Sequence, residues 1–120
     1  HGRVVGVDVG AVPALAETVR DLAIAAAQLA GLQSPDGEPQ IRLGHQGEGY
    51  GKPTAEGFEA LRLAARGEGL VLDPVYTGKA LAGLIGLVRS GALSGAAPVV
   101  FLHTGGWPAV FAYREEIESL

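Results

Sequence analysis

Short β-branched runs alternate along this chain with Ala- and Leu-rich stretches that close on glycine, and that alternation restricts the fold to α/β with a parallel sheet. From Arg3 to Val9 the text Arg-Val-Val-Gly-Val-Asp-Val is how a strand buried on both faces reads, with Asp8 its odd polar member. Pro13 to Leu32 follows as a long amphipathic helix with Leu15, Val19, Leu22, Ala26 and Leu29 on its inner face and Gly31 placed to stop it. Between Gln33 and Pro53 the composition turns to Gly, Pro, Asp, Glu and Gln, and only Ile41-Arg42-Leu43 is dense enough for a short strand. Pro53 and Thr54 open a second helix, Ala55 to Arg66, with Phe58, Leu61 and Ala65 on its buried side; Gly67 and Gly69 end it. Leu70-Val71-Leu72 reads as a brief buried segment. The turn from Asp73 to Gly78 then leads into a third helix, Lys79 to Ser90, closed by Gly91. Pro98 to Leu102 is the clearest strand, His103-Thr104-Gly105-Gly106 lies at its carboxyl end, and Trp107-Pro108 starts a last short helix. No internal repeat and no linker divides the chain, so residues 1–120 read as a single α/β segment.

Composition narrows the function. With 120 residues, 48% of them apolar, one folded domain is expected. Thirteen acidic against nine basic side chains leave a net charge of −4, which lacks the electrostatic footprint of a nucleic-acid binder. The longest apolar run, Leu22 to Leu32, is interrupted by Gln28 and falls short of the roughly 20 residues a membrane span needs. The absence of cysteine excludes disulfides, a thiolate nucleophile and cysteine-based metal sites, leaving the cytoplasm as the expected compartment. His1, His45 and His103 are far apart and none has a metal-ligand partner at helical spacing, so no metal is expected. No methionine is present and the chain opens His1-Gly2-Arg3, as a piece of something longer would.

The glycine-rich turns do not form a nucleotide site. After the first strand, Val9-Gly10-Ala11-Val12-Pro13 supplies one glycine of the three in the dinucleotide fingerprint. Before Gly51-Lys52 a P-loop would need glycine where Gln46 stands, and Pro53 replaces its magnesium-binding hydroxyl. What remains is a set of hydroxyls at the mouths of the sheet: Tyr50 in the long loop, Tyr76 and Thr77 at a helix start, and Thr104 beyond the last strand. Ligands of open α/β sheets bind in the crevice outside the strands' carboxyl ends. Each hydroxyl also has a plainer reading, the threonines as helix caps and the tyrosines, like Trp107, as packing residues.

Two motifs carry a resemblance: Leu72-Asp73-Pro74-Val75-Tyr76-Thr77-Gly78-Lys79-Ala80, and Phe101-Leu102-His103-Thr104-Gly105-Gly106-Trp107-Pro108-Ala109-Val110-Phe111-Ala112-Tyr113. Together they resemble the carboxyl-terminal signature of the D-cysteine desulfhydrase and 1-aminocyclopropane-1-carboxylate deaminase family. Gly49-Tyr50-Gly51-Lys52-Pro53 resembles the segment just upstream, so the similarity runs from Arg3 to Tyr113. The resemblance implies a parallel-sheet, three-layer portion of a fold-type II enzyme, similar to the tryptophan synthase β subunit, with pyridoxal 5'-phosphate as cofactor. It implies a small amino-acid substrate and a homodimeric parent protein.

Position by position, the resemblance makes Tyr50 and Tyr76 the catalytic tyrosines on the substrate side. It places Thr77 and Thr104 near the ring nitrogen of the cofactor, and Gly105 where backbone comes close to the ring. Asp73 and Lys79 match as well and read as structural. The deaminase branch has glutamate where this chain has Thr77; a neutral hydroxyl holds a protonated ring nitrogen less well, which suits α,β-elimination with a good leaving group such as thiolate. The cofactor-anchoring lysine, the region gripping the substrate carboxylate and the phosphate loop belong to family segments upstream, and Lys52 and Lys79 are the only lysines here. The chain alone is therefore expected to be inactive, as the carboxyl-terminal part of a D-cysteine lyase. The alternatives are deamination of 1-aminocyclopropane-1-carboxylate and a non-catalytic α/β binding domain.

Overall fold

The structure is a computed structural model that describes residues 3–93, 95 and 97–120, so His1 lies outside the described residues. In chain order the elements are β1 (Gly6–Val7), α1 (Leu15–Leu29), β2 (Ile41–Arg42), α2 (Ala55–Glu68), α3 (Thr77–Arg89), α4 (Trp107–Ala112) and α5 (Arg114–Glu118). β1 and β2 pair in parallel, Gly6 opposite Ile41 and Val7 opposite Arg42, with α1 in the crossover that parallel neighbours require. The fold is α/β.

The core sits where α2 meets α3. Helix α2 turns Gly57, Ala60, Leu61 and Ala64 inward, an i, i+3, i+4, i+7 stripe, and α3 answers with Gly78, Ala82, Gly83 and Leu87. Small residues bring the backbones together: a Cβ at Gly78 would run into Leu61 and the Asp73 carbonyl, and one at Gly83 would lie 2.8 Å from Val7 Cγ2. Thus α3 lies on α2 with one side and on β1 with another. Leu61, Ala64 and Leu72 form the apolar centre, with Phe58, Leu81, Phe101 and Ile117 packed on it.

Several expectations need correcting. Pro98 to Leu102 forms no strand: backbone N–H and C=O groups need a neighbour to make a ladder, and none adjoins this segment among the described residues. Val99, Val100 and Leu102 are exposed there, and only Phe101 reaches the core. In α1 the half-buried stripe includes Leu15, Val19, Ala23, Ile24 and Ala27, whereas Leu22, Ala26 and Leu29 are exposed. The helix is apolar on more than one side and only one is covered. Ala65 is exposed and Ala64 takes the inner place, because the tight approach of α3 selects the 57/60/61/64 stripe. Leu70 and Val71 are exposed beside a buried Leu72, and the first strand shrinks to two residues that are half-buried, with Val4 exposed. Among the described residues no helix is long and apolar enough to cross a membrane.

Candidate active site

Asp73 organises the start of α3. Its side chain is fully buried; Oδ2 accepts from the N–H groups of Val75 (2.8 Å) and Tyr76 (2.7 Å), and Oδ1 accepts from the N–H (2.8 Å) and hydroxyl (2.6 Å) of Thr77. The Asp73 N–H donates in turn to Thr77 Oγ1 at 3.0 Å. A carboxylate at a helix N-terminus satisfies orphan amides and complements the helix dipole. The result is a rigid turn that fixes the backbone of Tyr76 and leaves its phenol outside.

The second tyrosine arrives on a glycine-rich loop. Gly44, Gly47, Gly49 and Gly51 all have positive φ, so the chain from 44 to 51 coils tightly where side chains at those positions would be strained. Three side chains from different elements hold this coil. Lys79 Nζ, from α3, donates to the carbonyl oxygens of Gln46 (2.7 Å) and Gly49 (3.2 Å). Gln46 Nε2 donates to Asp8 Oδ2 at 2.7 Å, while Asp8 Oδ1 accepts from the Gly10 N–H at 2.8 Å, which ties the loop to the end of β1. The Tyr113 hydroxyl, between α4 and α5, donates to the Gly51 carbonyl at 2.5 Å.

Loop and turn together bring the Tyr50 and Tyr76 hydroxyls into hydrogen-bond contact. The rings meet edge to face, with centroids 5.9 Å apart and planes at 60°, and both are solvent-accessible. The bond from Tyr50 pushes the Tyr76 phenol above the ordinary tyrosine range, with desolvation and the charges of Tyr50, Asp73 and Tyr113 acting the same way. Burial pushes the Lys79 ammonium below the usual lysine range.

The other sequence-derived site residues lie as follows. Thr77 directly follows Tyr76 but is 1% exposed, and its hydroxyl proton is committed to Asp73. Thr104 is exposed. Gly105, at φ 115°, has nothing within 4 Å of where a Cβ would stand, so its backbone offers an open face. Next to it, Gly106 abuts the Asp73 carboxylate so closely that any side chain there would collide with it, which seats the 104–106 turn against the Tyr76 turn. His103 bonds the Val71 carbonyl and the Gly105 N–H. Of the two lysines, Lys52 is exposed and Lys79 is engaged by the loop. Sequence reasoning missed Asp8, Gln46 and Tyr113 as supports. The polar Asp8 inside an apolar run was the one available signal.

A profile of pyridoxal-phosphate dependent enzymes matches residues 1–105. Among solved structures, a crystal structure described as that of an ACC deaminase homologue superposes with a TM-score of 0.80 at 36% sequence identity. The match covers 98% of this chain and 35% of that one, so the chain spans about a third of that relative's length.

Proposed function

This chain belongs to the pyridoxal-phosphate dependent enzyme family, and we propose on that premise that it forms one wall of the cofactor cleft in a lyase acting on a D-amino acid. The reaction is α,β-elimination of D-cysteine to pyruvate, ammonia and sulfide, in a cytoplasmic homodimer whose remaining segments include the cofactor's lysine. The contact of two phenols delivered by separate elements, Tyr50 and Tyr76, carries this reading.

The residues present fit the cofactor as a wall. Gly105 leaves backbone open for a flat ring to approach, and the 104–106 turn is seated beside Tyr76 through Asp73. When bound, the cofactor supplies an electron sink for the carbon bearing the amino group. Thr104 and Gly105 would hold the ring, and Thr77, its hydroxyl bonded to Asp73, would brace the turn that carries Tyr76. Tyr50 and Tyr76 would hold or move a proton on the substrate side, their hydroxyls being in hydrogen-bond contact with each other. The preference for elimination rests on the family resemblance alone, in which the deaminase branch has glutamate at Thr77; the Thr77 hydroxyl itself is buried and donates to Asp73. A second reading, deamination of 1-aminocyclopropane-1-carboxylate, is favoured by the likeness to the ACC deaminase homologue.

Assaying the cofactor-loaded parent protein with both substrates separates the two. Pyruvate and sulfide from D-cysteine are expected. Keto acid from the cyclopropane substrate alone transfers the assignment to the second reading, and no keto acid from either overturns both. Tyr76→Phe is expected to lower kcat by about 10²-fold or more with cofactor retention unchanged; unaltered turnover removes Tyr76 from the mechanism.

A further inference from the structure

Lys79 is fully buried, yet its ammonium has no carboxylate partner among the described residues; its acceptors are two neutral carbonyl oxygens. Its stem runs beside Gly57 of α2, where an added Cβ would stand 3.8 Å from Lys79 Cγ. For packing alone, methionine fills similar space without desolvating a charge, and buried charges seldom add net stability over apolar replacements. What methionine cannot do is hold two carbonyls from a loop that is 30 or more residues away in sequence. Those carbonyls, of Gln46 and Gly49, lie four residues and one residue before Tyr50.

We propose that Lys79 is a positioning residue for the tyrosine pair: its ammonium bridges the Gln46 and Gly49 carbonyls and so sets the Tyr50 phenol against Tyr76. Because Lys79 stands three residues after Tyr76, one turn of α3 carries both the second phenol and the anchor for the first. The distance between the two hydroxyls is then fixed by a single rigid helix. Asp8, acting through Gln46, and Tyr113, acting on Gly51, hold the loop's flanks but do not reach α3. The functional importance of this placement rests on the reading of Tyr50 and Tyr76 as the proton-handling pair; the placement itself does not.

The test follows the proton affinity of Tyr76 directly, through the 19F resonance of 3-fluorotyrosine introduced at position 76 of the cofactor-loaded protein. The titration midpoint is expected to lie above that of the free amino acid and to fall in Tyr50→Phe. Lys79→Met, folded by circular dichroism, is expected to give the same fall, with no further change when Lys79→Met is added to Tyr50→Phe. In turnover, Lys79→Met is expected to lower kcat about 10- to 100-fold while KM and cofactor retention change little, as for a misplaced group. Lys79→Gln, which keeps one donor without the charge, is expected to lie between the two and serves if Lys79→Met does not fold. A folded Lys79 variant that keeps the wild-type midpoint overturns the proposal, as does failure of both variants to fold, which makes Lys79 a stability residue only. A fall in midpoint with kcat unchanged upholds the placement and sinks the catalytic reading of the tyrosines.

Discussion

Removing the Asp73 carboxylate would strip the acceptor from three backbone amides and the Thr77 hydroxyl at one buried point. Asp73→Ala is expected to destabilise the protein by about 2–4 kcal/mol, read from chemical denaturation, because buried donors left unpaired cost more than the bonds themselves contribute. His45 gives a pH dependence. Burial, aided by Arg42 and opposed by Glu56, holds its imidazole below the ordinary value of 6.5. Below that value the unfolded chain takes up a proton that the folded protein refuses, so stability falls as pH drops through 6.5 and levels off once the folded value is passed. His45→Gln is expected to flatten that slope in melts between about pH 7 and 5. At this scale the sequence set Tyr50 and Tyr76 in legible motifs, and the fold brings their hydroxyls together. It did not show the clamp. Gln46, Lys79 and Tyr113 reach partners 30 or more residues away, and nothing local in the text encodes such a pairing.

Helices α1 to α4 were legible, and α5 was not; periodicity, caps and glycine stops are local, as where Thr54 caps α2 by accepting from the Gly57 N–H at 3.0 Å and Gly69 closes it in the left-handed region. Exposure was less legible. Which side of α1 faces inward, and whether 98–102 pairs as a strand, depend on what lies alongside rather than on the segment's own residues. The α2–α3 contact offers a paired test. Gly78→Ala drives a methyl into Leu61 and the Asp73 carbonyl and is expected to cost about 1–3 kcal/mol. Gly86→Ala, in the same helix with open space around the new methyl, is expected to stabilise by up to about 1 kcal/mol, because alanine prefers helix more than glycine does. Thermal melts of the two variants should move in opposite directions.

The whole molecule measures 47 × 33 × 23 Å with a radius of gyration of 15.4 Å, larger than the roughly 13–14 Å of a compact body of this length. Leu22, Leu29, Val100, Leu102, Trp107 and Phe111 are exposed over this surface. That shape suits a wall more than a closed pocket, and it agrees with a chain that spans 35% of its structural relative. The central claim is that this wall supplies tyrosines and backbone while the cofactor's covalent anchor comes from elsewhere in the protein. Borohydride reduction of the cofactor-loaded protein, followed by peptide mapping of the labelled lysine, tests it most directly. The expected result is a pyridoxyl label on a lysine outside residues 1–120, with Lys52 and Lys79 unmodified; stoichiometric label on Lys52 or Lys79 would contradict it.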